Sequence, residues 1–450
     1  MSVRLEQMGT GIKCPIRKSF YRLVDPLSPF PLVDVGQMRR LILNRYLISA
    51  KMKNFLGNKI RKMQILLCAA IMFIIVYNCK VCFAREETID VTSNDIIESQ
   101  KETLNISSFI KEADKYTKDV FADTDIGDIL NSAIKGTVDN KKIMLNIWNL
   151  FGSEFASCIT TIGSIIIIIV IHSIMKSISD GLENKSISQI TYYVQYILIV
   201  TLIITNFSDC LEMVKESITN LVGFMNLLIP ILITLMMTTG SIVSSSTLQP
   251  ILLFIITFIG NFIKDIIIPI VLVSTALGIV SKISDRVQID KLSKFMKSSV
   301  VWVLGVVLTI FVGVVSLEGT LSSGVDGLTA KTTKAAVSSF IPVVGKILGD
   351  AVDTVIGCSS ILKNALGVVG AIIIIGICIK PIIKLVILMA MYYLASALCQ
   401  PIADGKIIKL LEQMGDTFKL LLAIMCSISV MLIIGVTLVV KISNSGAMYG

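Results

Sequence analysis

Apolar runs of membrane length recur along most of this chain, and the short polar breaks between them define the predicted elements. The first run covers Ala156 to Ser177 and contains the stretch IIIIIVI. Others cover about Gln189–Phe207, Asn220–Thr239, Val300–Ser316 and Leu420–Val440. Each is near the ~20 residues that a helix needs to cross a hydrocarbon core. Two longer runs carry internal charges. Leu248–Val280 is interrupted by Lys264-Asp265, and as one helix it would reach about 50 Å, well beyond a bilayer core. The basic segment after it, KISDRVQIDKLSKFMKS from Lys282, prefers the cytoplasmic side. The halves Leu248–Ile263 and Asp265–Val280 therefore read as a tight pair, either two short spans or a re-entrant hairpin. The second long run splits at Lys380-Pro381 into Leu366–Ile379 and Ile382–Leu398. Pro230, Pro269 and Pro381 fall inside apolar runs and are candidate helix breaks, because proline removes a backbone donor; each could equally be a packing kink.

The expected fold class is thus all-α. It is a polytopic helical integral membrane protein with about seven to nine membrane segments, some broken or re-entrant, spanning residues 156–440. A tail, 441–450, follows.

The N-terminal third has a different pattern. KNFLGNKIRK, Lys53 to Lys62, is a basic stretch, and MQILLCAAIMFIIV, Met63 to Val76, is an apolar core of signal-peptide length. Cys82-Phe83-Ala84 offers a small-x-small cleavage site, so cleavage after Ala84 is expected, with an uncleaved signal anchor as the other reading. Met52 stands directly before the basic stretch. A start at Met52 would make residues 52–84 the signal peptide and residues 1–51 an unstructured upstream extension mis-assigned to the chain; the alternative is a cytoplasmic tail. Residues 85–155 are acidic, with amphipathic spacing at Ile106, Phe109 and Ile110. They read as a small extracytoplasmic helical segment.

Composition agrees and removes some functions. Hydrophobic residues make up 54% and charged residues 16%, against roughly 25% charged in soluble domains. The net charge of +9 invites a nucleic-acid reading. Met1 to Lys62 holds thirteen Lys/Arg against Glu6, Asp25 and Asp34, a balance of +10, so the remainder carries −1. The basic excess is terminal, and no nucleic-acid face is expected. Cys158, Cys378, Cys399 and Cys426 lie in apolar runs, where cysteine acts as a small hydrophobe. Cys79 and Cys82 form a C-x-x-C, but no second pair completes a zinc site, and the pair lies in the signal region.

Catalytic motifs are missing. His172 is the single histidine, so H-E-x-x-H cannot occur. Inside a span it reads as a hydrogen-bonded packing group before a proton relay. Gly345-Lys346 is followed by Ile347, and position 340 is Phe, so no P-loop forms. Gly349-Asp350 lacks the glycine that an intramembrane aspartyl protease motif would place at position 347. No enzyme, cofactor, metal or bound nucleotide is expected.

One segment is too polar for lipid and too apolar for a loop: SFIPVVGKILGDAVDTVIGCSSILKNALG, Ser339 to Gly367. Ser338-Ser339 can cap a helix that follows Pro342. Gly345, Gly349, Asp353 and Gly357 then recur every four residues as a narrow stripe of little bulk, beside Val344, Leu348, Val352 and Val355. Lys346 and Asp350 are i,i+4 partners. The expected amphipathic helix, 340–366, packs closely on another helix or subunit; an ordinary surface helix is the alternative. A fainter signal is the echo between Leu228–Ser246 and Phe340–Ser360, each with Ile-Pro, then glycine, then paired serines, as internal repeats of transporters would show.

The run VDGLTAKTTKAAVSSFIPVVGKILGDAVDTVIGCSSILKNALGVVG, Val325 to Gly370, resembles the stage III sporulation protein AE family of endospore-forming Firmicutes. The signal sequence, acidic helical segment and apolar C-terminal half fit the same family. The resemblance covers about Met52 to Val440. It implies a non-enzymatic subunit in the mother-cell membrane around the forespore. The partners it implies are the other stage III sporulation A-operon proteins, a separate ATPase among them, and indirectly stage II sporulation protein Q. Together they would form a secretion-like transenvelope channel, and a homo-oligomer is compatible with it. The family brings no catalytic residues. Within the matched run, Pro342, Gly345, Gly349, Asp350, Asp353, Gly357 and Lys363 are the candidates for helix packing or pore lining. Two other readings stand beside this one. One is a secondary transporter or permease, suggested by the broken runs. The other is a membrane scaffold that recruits partners without conducting. Lys264, Asp265, Lys380 and Lys384, placed at span ends, count against the transporter.

Overall fold

The computed structural model describes residues 91–117, 125–135, 140–180, 185–283, 289–340 and 344–447. Residues 1–90 and Pro342 lie outside them, and with them the expected signal peptide, its cleavage site after Ala84 and the Met52 start. The described residues belong to one compact unit, Ile74–Gly450.

Every described element is helical. Three short helices come first: α1 (Val91–Thr103), α2 (Ile106–Thr117) and α3 (Ile126–Ile134). Asp125 caps α3, its carboxylate accepting from the Gly127 N–H at 3.0 Å. The long helices follow: α4 (Asn140–Asp180), α5 (Lys185–Thr238), α6 (Ile242–Phe262), α7 (Ile268–Ile283), α8 (Asp290–Phe340), α9 (Val344–Cys399) and α10 (Gly405–Ala447). A single π-helical turn, Ile263–Ile267, joins α6 to α7.

The all-α polytopic architecture is as the apolar runs require. Six stretches among the described residues are long and apolar enough to cross a membrane: Leu145–Ile178, Tyr196–Thr238, Ile242–Lys282, Asp290–Glu318, Asp353–Cys399 and Gly405–Lys441. There are fewer of them than the seven to nine runs suggest, because three expected breaks are bridged by helix. The runs at Gln189–Phe207 and Asn220–Thr239 merge in α5, which continues through Pro230. The pair at Lys264-Asp265 is neither a hairpin nor two spans. The chain continues through the π turn, where the Ile268 N–H reaches back to the Ile263 carbonyl. Pro269, which has no N–H to give, comes directly after this widened turn. The Lys380-Pro381 split closes too: α9 runs straight through a buried Pro381. A proline within a membrane helix is tolerated where neighbouring helices surround it.

These helices are long. At 54 and 56 residues, α5 and α9 reach about 80 Å, more than twice a hydrocarbon core. Their packing is antiparallel. α10 lies against α9 above all and also against α8, α5, α7 and α6. None of its described large hydrophobics is exposed, whereas α4, α6, α7 and α8 present many, among them Trp148, Ile167, Phe254, Leu272 and Trp302. Such an apolar exterior is what a chain shows when lipid is its solvent.

Candidate functional site

Two polar constellations are built into this apolar bundle. The first lies where the three short helices meet α9 and α5. Their apolar faces, with Ile97, Ile106, Phe109, Ala113, Ile126, Ile129 and Leu130, are all buried. Phe109 stacks obliquely on Phe224 of α5, with ring centroids 6.1 Å apart, and Tyr116 meets the same ring edge-on at 6.3 Å. Gly223 makes room for this contact, since a Cβ there would sit 3.0 Å from the Tyr116 hydroxyl. Gln100 donates from Nε2 to Ser359 Oγ at 2.8 Å, tying α1 to α9. One helical turn further along α9, Lys363 is fully buried.

The second constellation joins α7, α8 and α10 toward the other end. Lys297 Nζ donates to Thr417 Oγ1 at 2.7 Å. Thr417 Oγ1 lies 3.4 Å from Thr275 Oγ1, and Ser293 Oγ donates to the Ser274 carbonyl at 2.6 Å. Ser274, Thr275, Ser293 and Thr417 are buried. Tyr393 donates its hydroxyl to Asp416 Oδ1 at 2.7 Å. Below this level, Asp290 accepts from Lys282 at 2.9 Å and pairs with Lys294 at 2.7 Å. Lys176 of α4 pairs with Asp404 at 2.8 Å, at the turn between α9 and α10.

The residues singled out from sequence divide between these places. Gly345, Gly349 and Asp350 lie in the first two turns of α9, and nothing is described of their surroundings. Asp353 and Gly357 are exposed, with no atom within 4 Å of where a Gly357 Cβ would stand. Lys363 is on a different, buried face. The close backbone approaches come further along. A Cβ at Gly367 would run into Val440 of α10, and one at Gly370 into Leu228 of α5. Gly260 meets Val222 in the same way, and Gly435 lies close against Phe311, where a Cβ would stand 3.2 Å from the ring. Lys264, Asp265, Lys380 and Lys384, expected at span ends, are interior to continuous membrane-length stretches. The reason is the same continuity that joins the runs, and it removes one argument against a transporter.

The α7–α8–α10 constellation was not anticipated. Its signal is present in GKIIKLLEQMGDTFKL, where Ile407, Leu410, Leu411, Met414 and Phe418 form a buried face and Lys409, Glu412 and Asp416 an exposed one. Among the described residues no group of three or more His, Cys, Asp or Glu is placed to hold a metal ion.

Comparison with known proteins gives this architecture a family. No solved structure matches the chain. A protein of Bacillus subtilis (strain 168) named "Stage III sporulation protein AE" is 29% identical over 283 residues, covering 63% of this chain and 71% of the relative. The family model described as Stage III sporulation protein AE matches residues 124–443, from α3 through nearly all of α10. A match over that much of the chain makes this multi-pass helical membrane protein a member of the stage III sporulation protein AE family.

Proposed function

We propose that the protein is a non-enzymatic, polytopic subunit of the transenvelope channel complex that links mother cell and forespore, located in the mother-cell membrane around the forespore. The observation that carries the reading is the family match over residues 124–443, which ties the chain to sporulation. The enclosed, lipid-faced bundle supports a membrane-embedded role within a larger assembly. Its partners would be the other stage III sporulation A-operon proteins, with a separate ATPase as energy source, and indirectly stage II sporulation protein Q.

The exposed face at Asp353 and Gly357, continuing the Gly345–Gly349 spacing, is the proposed contact with a neighbouring subunit. A backbone free of side-chain bulk lets another helix approach closely. Gly345→Leu and Gly349→Leu should then block assembly and lower spore yield; unchanged assembly would remove this role. The scaffold reading has an observation of its own. Above Phe418 the centre of the bundle is filled by apolar α10, with Gly435 against Phe311 and Gly367 against Val440. A passage for cargo would therefore run between subunits.

The test is an in-frame deletion in the source organism. Engulfment should complete, followed by forespore collapse and silence of a late forespore reporter. Normal spores would remove the sporulation role and leave a transporter as the better reading.

A further inference from the structure

We infer that the α7–α8–α10 constellation is the wall of a water-filled vestibule, entering the bilayer from the lysine-bearing end and closed by the Phe207–Tyr392–Phe418 cluster. The argument starts from relative height. The Lys176–Asp404 pair, with the Ser173 hydroxyl donating to the Ile402 carbonyl at 2.7 Å, fixes the end of α4 beside the α9–α10 turn. Ile167 of α4 and Glu412 of α10 lie nine and eight residues from that pair, so both stand about 12–14 Å above it. At this height the exterior is of lipid type. Ile167 and Ile171 on α4 are 61% and 52% exposed. Val280 on α7, and Leu394 and Leu398 on α9, are exposed as well.

Yet on the same level the exposed face of α10 is charged: Lys409, Glu412 and Asp416 at spacings of three and four. Charged side chains facing hydrocarbon are costly, and in membrane proteins they face protein or a wet cavity. Here the surrounding groups suit water. Half-buried Lys297 supplies an ammonium and exposed Tyr393 a phenol beside Asp416, backed by the buried hydroxyls of Thr275 and Thr417. The stripe carries one lysine followed by two carboxylates, so both signs of charge are present along it. The wall is continuous with the Lys282–Asp290–Lys294 group at the mouth.

The inner limit is equally defined. Phe418 packs on Tyr392 at 5.1 Å and Phe207 at 6.4 Å between ring centroids. Beyond it Leu421, Ile424 and Met425 are fully buried. The vestibule is therefore a half-channel. The lysine-bearing end carries Lys176, Lys282, Lys291, Lys294, Lys406 and Lys409 and is the cytoplasmic end by the excess of positive charge. This inference does not depend on the sporulation reading.

The test uses the full chain in sealed membrane vesicles of both orientations, with a membrane-impermeant charged maleimide. Labelled peptides are located by mass spectrometry, so native cysteines do not interfere. Glu412→Cys and Lys409→Cys should be labelled from the cytoplasmic face several-fold above Ile167→Cys and Met425→Cys, which should stay near background. Labelling of Ile167→Cys to the same extent would place this whole level outside the bilayer and overturn the vestibule. Silence of both Glu412→Cys and Lys409→Cys in a chain inserted normally would mean that lipid or another helix covers the stripe, and would overturn it too. So would labelling from the opposite face alone.

Discussion

Replacing Phe109 by alanine tests whether the three short helices are held by the aromatic contact described above. Phe109 is 4% exposed and Phe224 is fully buried, their rings 6.1 Å apart and tilted by 38°. Truncating a buried phenylalanine costs about 3–5 kcal/mol, of which an aromatic pair of this geometry accounts for roughly 0.5–1.5 kcal/mol beyond the area lost. Divided by about 1.4 kcal/mol per tenfold, the full cost raises the open population of α1–α3 roughly a hundredfold to a few thousandfold. Hydrogen exchange of the chain in nanodiscs reads this directly. Amides in α1–α3 should lose protection by that factor, while those of α10 beyond Leu421 keep theirs. Phe258→Ala, at a position 58% exposed on the outer surface, is the control and should change nothing. The pair itself is isolated by a double-mutant cycle. Phe109→Ala with Phe224→Ala should cost less than the two singles together by about 0.5–1.5 kcal/mol. Unchanged exchange in α1–α3 would show that other contacts hold them. Strict additivity would show that the two rings do not interact.

Glycine substitutions should separate packing within the chain from packing between chains. Gly370→Leu forces a side chain against Leu228 and should lower thermal stability in detergent by about 1–3 kcal/mol, whereas Gly357→Leu, with open space beside it, should leave monomer stability unchanged and impair only assembly. Lys297→Met removes the 2.7 Å bond to Thr417 and should cost on the order of 1–3 kcal/mol in chemical denaturation; a neutral result would mean that water replaces the ammonium without loss. If α1–α3 are extracytoplasmic, as the sequence predicts, the six candidate crossings among the described residues return the chain to the same side, so a phosphatase fused after Gly450 should be active and a cytoplasmic reporter there should not.

Sequence and structure part company in instructive places. The apolar runs themselves were legible, because a bilayer imposes one length on every crossing. Their continuity was not. Lys380-Pro381 reads locally as a break, but its outcome depends on Pro381 being buried among neighbouring helices, which no local pattern reports. The spacing of Ile106 and Phe109 announced an amphipathic α2, and both are buried; their partner Phe224 lies more than a hundred residues away and could only be found in three dimensions. The same holds for the glycines. The four-residue spacing drew attention to Gly345, Gly349 and Gly357, while the close approaches described are at Gly367 and Gly370, where the deciding facts are Val440 and Leu228. On α10 the amphipathic stretch before Leu420 carries its own periodic signal, but the groups of α7 and α8 that meet it lie more than a hundred residues away in sequence.

The π turn at Ile263–Ile267 acts as a phase shifter. It holds one residue more than an α-turn of the same height, and each residue advances an α-helix by about 100°. Removing one residue from that turn would leave α6 in place and rotate all of α7 by roughly that angle. Ser274 and Thr275, now directed toward α8 and α10, would swing toward lipid, and Leu272 and Val273 would turn inward. The polar wall of α7 is thus set by a count of residues about two turns before it, at a place where no side chain of that wall is present.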